Sequence, residues 1–196
     1  AGTWKKRDKG QPFFTVYNIG DSHESRAFGD HKDESVDPRK MILAPYHPDL
    51  PEMRNTYAKY SSAISKMDSL VGQAIDNLKR DNLYENTIVI YNSDHGGVLA
   101  RSKRFLYSSG IHCPLIVRIP AKWNHLFPQG KKPGSTIDRI VSFIDMPKTW
   151  VSLTGAAMKK NFQGRIFLGP DTEPPADYHF SWRERADERF DNVRVM

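Results

Sequence analysis

At 196 residues the chain has the length of one domain with room for a small appendage, and it can bury a core without disulfides. Its single cysteine, Cys113, excludes an internal disulfide framework, and no apolar run approaches membrane-spanning length. The formal charge is +6, but Lys and Arg are scattered in short clusters that read as solvated surface, with no basic stripe carrying interleaved aromatics, so an anionic substrate is a better alternative than nucleic acid.

Residues 12–19 (Pro-Phe-Phe-Thr-Val-Tyr-Asn-Ile) read as a buried strand. It runs into a polar turn, Gly20-Asp21-Ser22-His23-Glu24-Ser25-Arg26. On local grounds His23 is either a surface loop histidine or a site residue. Residues 27–53 read as loop, because Pro45, Pro48 and Pro51 exclude regular helix or central strand there. Asp49 is placed to cap the helix that follows, with Pro51 in its first turn. That helix is predicted over 51–82. Tyr57, Tyr60, Ile64, Met67, Val71, Ala74, Ile75 and Leu78 recur at steps of three and four and form one apolar face. Asp68 neighbours that face and is expected to reach a polar partner.

The β-branched run at 87–92 reads as a second buried strand. It closes on Ser93-Asp94-His95-Gly96-Gly97. In open α/β sheets ligands sit outside the carboxyl ends of the strands. Asp94 and His95 therefore stand where a turn could converge both on one ion. An ordinary turn, with Asp94 as a cap, has the same local pattern. The two strand-then-polar-turn units follow one plan, which would bring His23 and Asp94 to the same sheet edge. A loop at 98–105 carries Arg101, Lys103 and Arg104, and residues 114–119 read as a third strand with prolines at its ends. Cys113, beside it, reads as a lone buried thiol. Residues 121–135 read as loop and 137–144 as a short strand. Asp145 caps a helix that stops at Gly155. In the tail, a charged hairpin-like segment at 183–191 separates two apolar stretches. The fold class is α/β, a mainly parallel sheet flanked by helices.

Several ordered segments resemble the sulfatases of the alkaline phosphatase superfamily. They are the strand ending Asn92-Ser93-Asp94-His95-Gly96, the run from Lys103 through Tyr107 to Gly110, Cys113-Pro114-Leu115-Ile116-Val117, and Ile144-Asp145-Met146-Pro147. The resemblance implies an alkaline-phosphatase-like fold and hydrolysis of sulfate esters or sulfamates, with a sulfated small molecule or carbohydrate as substrate. It further implies Asp94 and His95 as metal ligands, His23 as a sulfate contact or proton donor to the leaving oxygen, and Lys103 as a sulfate-binding cation. The metal implied is Ca2+. The imidazole of His95 suits Mn2+ or Zn2+ better and keeps open a phosphonate or phosphodiester hydrolase of the same superfamily. A non-catalytic anion-binding module is the reading from a different class. The family forms a formylglycine nucleophile in a motif of Cys or Ser, any residue, Pro, Ser, Arg. That motif is absent here, and Cys113-Pro114-Leu115 does not fit it. The resemblance thus reads as a catalytic domain truncated at its N-terminus. Residues 1–160 would be a partial catalytic domain and 161–196 the start of a C-terminal segment, the whole inactive alone. The compartment it implies is periplasmic, extracellular or lysosomal.

Overall fold

The computed structural model describes residues 4–27, 35–186 and 189–196. They fall into two compact units, Ala1–Asp76 and Asn77–Met196, each taken by itself.

In the first unit Trp4 is buried, with the rings of Phe13 and Tyr17 at 5.5 and 6.2 Å. The segment that reads as a strand at 12–19 is extended but unpaired. Phe13 and Thr15 are half-buried, while Phe14 and Val16 are 73% and 63% exposed. The period of two is present, but a strand is completed only by a neighbour's backbone, and none runs beside this one among the described residues. The polar turn leads into α1 (Glu24–Ala27), and then comes α2 (Pro51–Arg80). The expected apolar face of α2 is half-buried or buried throughout, from Tyr57 to Leu78. Within the unit, the Tyr57 hydroxyl accepts from the Ala44 N–H at 3.0 Å, and Arg54 donates to the Met41 carbonyl at 3.0 Å. Asp49 does not act as the expected cap. Its carboxylate is engaged by the Arg54 guanidinium at 2.7 Å, which holds it below the usual carboxylate range. Asp68 stays exposed.

In the second unit β1 (Val89–Asn92) pairs with β2 (Leu115–Arg118) in antiparallel register, Val89 opposite Arg118 and Asn92 opposite Leu115. This corrects the mainly parallel sheet: both strand pairs among the described residues are antiparallel. A parallel pair needs a crossover that carries the chain back to the start of the sheet. Here the connection holds only one short helix, α3 (Ser108–Ile111). Its two arms are tied to each other, Gly96 N–H to the Gly110 carbonyl at 2.8 Å and Ser93 N–H to the Pro114 carbonyl at 3.4 Å. The chain therefore returns as a wide hairpin. At the far end of β2, Arg118 lies 3.6 Å over the Tyr84 ring and donates to Glu85 at 2.9 Å.

The core of this unit is Ile119, Leu126, Phe167 and Leu168, with Ile88, Val117, Trp150 and Leu153 packed on it. It is closed by α4 (Asp145–Thr154), which ends on Gly155 at φ 66° as expected. Asp145 is buried but does not cap this helix. It accepts backbone N–H groups from Ser142 and Arg165, each at 2.7 Å, and so ties α4 to segments on both sides. The short strand expected at 137–144 is reduced to one bridge, Ile140 to Ala176. The tail forms an antiparallel hairpin of β3 (Ser181–Ala186) and β4 (Arg189–Val195), with a register shift between Arg183 and Arg185.

Candidate active site at the end of strand β1

β1 delivers the chain into Ser93, Asp94 and His95, and the Ser93 hydroxyl donates to the His95 carbonyl at 2.6 Å. The His95 Nδ1 lies 2.7 Å from the Gly96 carbonyl. A carbonyl can only accept, so Nδ1 carries the proton, and Nε2 of the neutral ring presents a lone pair. That Nε2 lies 3.7 Å from Asp94 Oδ1, too far for a hydrogen bond. It is a separation that two donors can span when each is about 2.0–2.5 Å from one ion. Asp94 is 88% exposed, so its carboxylate is open to a ligand. The chemistry of this donor set fits two corners of a divalent site. Among the described residues no group of three or more His, Cys, Asp or Glu is placed to hold an ion.

Close backbone packing shapes the turn. A Cβ on Gly96 would fall on the Ser109 carbonyl oxygen and within 2.7 Å of Gly110 Cα. One on Gly110 would fall on the Ser102 and Phe105 carbonyl oxygens. Only glycine permits so close an approach. Beyond Gly97 the loop folds back, and the Lys103 N–H donates to the Gly97 carbonyl at 2.8 Å. Arg101 and Arg104, on either side of Lys103, hold φ at 63° and 73°. This left-handed region is costly for side-chain-bearing residues and clusters at functional sites. Ser102 between them is buried. The Ser109 hydroxyl donates to the Arg101 carbonyl at 2.6 Å, and the Arg101 guanidinium lies 4.1 Å over the Tyr107 ring.

Cys113 is half-buried, less enclosed than the buried thiol expected. Burial pushes its thiol up, and the negative charge of Asp94 adds to that. Both effects disfavour the thiolate, so Cys113 is a poor nucleophile.

The fold thus brings three of the four expected residues, Asp94, His95 and Lys103, into one laced turn of the second unit. His23 belongs to the first unit, where its N–H closes a turn on the Gly20 carbonyl at 3.1 Å. The Ser25 N–H donates to His23 Nδ1 at 3.3 Å, with the Ser25 hydroxyl at 3.0 Å. A backbone N–H only donates, so Nδ1 accepts, and Nε2 carries the proton of the neutral ring. Sequence reasoning missed the Gly96–Gly110 contact, the two left-handed arginines and Arg183. Arg183 donates to the Arg104 carbonyl at 3.1 Å from 79 residues away, and no local signal marks such a contact.

The second unit is thus a mixed α/β unit whose strand end presents a carboxylate and an imidazole beside a lysine-bearing loop. The solved structure of the phosphonate monoester hydrolase SpPMH from Silicibacter pomeroyi is similar, with TM-score 0.51 and 24% identity, covering 76% of this chain and 29% of that one. That likeness supports the alkaline-phosphatase-like fold. The sulfatase family model matches residues 1–156, and the chain belongs to the sulfatase family. An ulvan-active sulfatase of Formosa agariphila is 29% identical, aligned over 98% of this chain and 37% of its own length. Human arylsulfatase K is 28% identical over 65% of this chain and 23% of its own. An N-acetylglucosamine-6-O-sulfatase of Bacteroides thetaiotaomicron is 28% identical over 65% and 22%. The chain therefore spans between about a fifth and two fifths of the length of these relatives. Among the described residues no helix is long and apolar enough to cross a membrane.

Proposed function

We propose that this chain forms part of a metal-dependent sulfatase that hydrolyses sulfate esters or sulfamates of a small molecule or carbohydrate. The observation that carries the reading is the 3.7 Å separation of Asp94 Oδ1 and His95 Nε2 at the end of β1, in a ring tautomer that leaves Nε2 able to bind a metal. Asp94 and His95 would hold a divalent cation, Ca2+ by family resemblance, with the imidazole better matched to Mn2+ or Zn2+. When bound, such an ion supplies Lewis-acid stabilisation of charge on the ester oxygens. Lys103 sets a cation against the oxygens of the transferring sulfuryl group. His23 would contact the sulfate through its Nε2–H or, as the imidazolium, donate a proton to the departing oxygen. The formylglycine nucleophile is expected outside these residues, since no matching motif occurs in them. Residues 1–160 then form part of the catalytic domain, and 161–196 open a further segment. The compartment is periplasmic, extracellular or lysosomal.

The nitrogen donor of His95 also favours a second reading, a phosphonate or phosphodiester hydrolase of the same superfamily. The test is hydrolysis of p-nitrophenyl sulfate and of phenyl p-nitrophenyl phosphonate. Three proteins are compared: the full-length gene product, its Lys103→Ala variant, and residues 1–196 alone. The expected result is sulfate ester turnover by the full-length protein and none by residues 1–196. Lys103→Ala should lose about a hundred- to a thousandfold, on the scale of one lost electrostatic contact to the transition state. Turnover of the phosphonate alone would move the chain to the second reading. An unaffected Lys103→Ala variant would remove Lys103 from the site. Turnover of neither ester by the full-length protein would leave the binding module.

A further inference from the structure

We propose that Arg183, on the tail hairpin, is a positioning residue that sets the loop carrying Lys103; the inference rests on the proposed role of Lys103. Arg183 is largely buried, its side chain 13% exposed, and it makes three contacts. Its guanidinium lies 4.7 Å over the Phe105 ring, donates to the Arg104 carbonyl at 3.1 Å, and is paired with Asp191 across the hairpin. Phe105 stacks on Tyr107 at 6.2 Å and 19°, and Arg101 covers the other end of that ring pair. Lys103 is thus bracketed, with Arg101 held on Tyr107 on one side and Arg104 and Phe105 held by Arg183 on the other.

The physical need for a clamp lies in the backbone. Left-handed φ at both Arg101 and Arg104 is unfavourable and persists only where surrounding contacts over-determine it. The Arg104 carbonyl is one of the groups that must be held for the chain to keep that turn, and Arg183 holds it. Asp191, across the hairpin on β4, pairs with the guanidinium and balances its charge, so Arg183 is not itself offered as a cation for an anion. A lysine at 183 would keep a charge over Phe105 but lose the planar fork that serves Asp191 and the carbonyl together.

The test is a double-mutant cycle in the full-length gene product, with p-nitrophenyl sulfate. Arg183→Gln should lower kcat/KM on the order of ten- to a hundredfold, the scale of a misplaced catalytic group. Arg183→Lys should fall between it and wild type. In the Lys103→Ala background the same Arg183 substitutions should cost little, because the group they misplace is gone. A general loss of folded protein would instead lower both backgrounds by the same factor, and that result overturns the inference. So does an unchanged Arg183→Gln beside a crippled Lys103→Ala, which leaves the reading of the site standing. A silent Lys103→Ala would overturn both. If Arg183→Gln does not fold, Arg183→Lys closes the same cycle.

Discussion

The backbone N–H of Lys103 donates to the carbonyl of Gly97, at 2.8 Å. That bond brings the loop back to within two residues of His95, so the lysine's loop and the Asp94–His95 turn are one structural unit. A long side chain on an untethered loop would lose considerable rotamer and backbone entropy on meeting an anion. Here part of that ordering is already complete.

The close contact at Gly96 predicts a stability effect. Gly96→Ala must push apart two backbones and not a flexible side chain. The expected loss is roughly 1–3 kcal/mol or more, the scale of overpacking, read as a lower urea midpoint. An unchanged midpoint would mean that the Ser109 carbonyl can retreat at no cost.

Metal binding by residues 1–196 should be measurable but weak. With only two donors and one negative charge, binding should be about 10⁻³ M or weaker, below full-ligand calcium sites whose affinity ligand charge and count set. Titration calorimetry with Mn2+ and Ca2+ should show the former binding more tightly, through His95 Nε2. Asp94→Asn and His95→Ala should each abolish the heat. Binding that survives both substitutions would place the ion elsewhere.

Part of this site is legible in the sequence, and the reason is local. Asp94 and His95 lie within three residues of the end of β1, where a strand running into a polar glycine turn marks them, whereas Lys103, eleven residues past that end, is marked only by the family resemblance. The long helix is equally legible, because its apolar face repeats from Tyr57 to Leu78. Strand direction is not. Residues 89–92 and 115–118 look alike whether paired parallel or antiparallel, and the outcome rests on ties such as Gly96 to Gly110 that no periodicity encodes. Asp49 and Asp145 misled for a related reason. A short carboxylate before a proline-led turn suits a cap, yet each met a stronger donor, Arg54 in one case and two backbone N–H groups in the other.

Glu173 predicts a pH dependence with a definite sign. The Lys148 ammonium at 2.8 Å, with the Ile166 N–H at 2.6 Å, holds this carboxyl below the usual range. A depressed folded value contributes stability above the ordinary Glu range, near about 4.3. That contribution is lost as pH falls through the depressed value. Glu173→Gln should therefore cost most at neutral pH, about 1.5 kcal/mol at the lower end for hydrogen bonds to a charged group, given its partial exposure. The gap to wild type should close in acid. Urea midpoints across that range read the difference, and a constant gap would rule out the ionic contribution.

Cys113 should alkylate slowly. In metal-free buffer at neutral pH, iodoacetamide should modify it more slowly than a free cysteine, whose thiol titrates near about 8.5. Burial is the larger cause and Asp94 the smaller, so Asp94→Asn should give a modest acceleration and denaturation a full one. Reaction as fast as a small-molecule thiol would contradict the burial.

His23 predicts a dependence on the leaving group. In the full-length gene product, His23→Ala should cost in the range of about 10²–10⁴-fold with an alkyl sulfate, whose departing oxygen needs a proton. With p-nitrophenyl sulfate, whose phenolate leaves readily, the loss should be much smaller. Equal losses on both esters would assign His23 to holding sulfate and not to moving a proton.

The extended run at 13–19 bears on how this polypeptide behaves in a test tube. Its Phe14 and Val16 side chains stand in solvent, and no neighbouring strand occupies its backbone donors and acceptors among the described residues. Such an edge is a template for pairing between molecules. Produced by itself, the 196-residue chain should self-associate as its concentration rises. A lysine at position 14 or a proline at position 16 is then the natural first change for keeping it dispersed, since a charge or a missing N–H on an edge resists further strand addition.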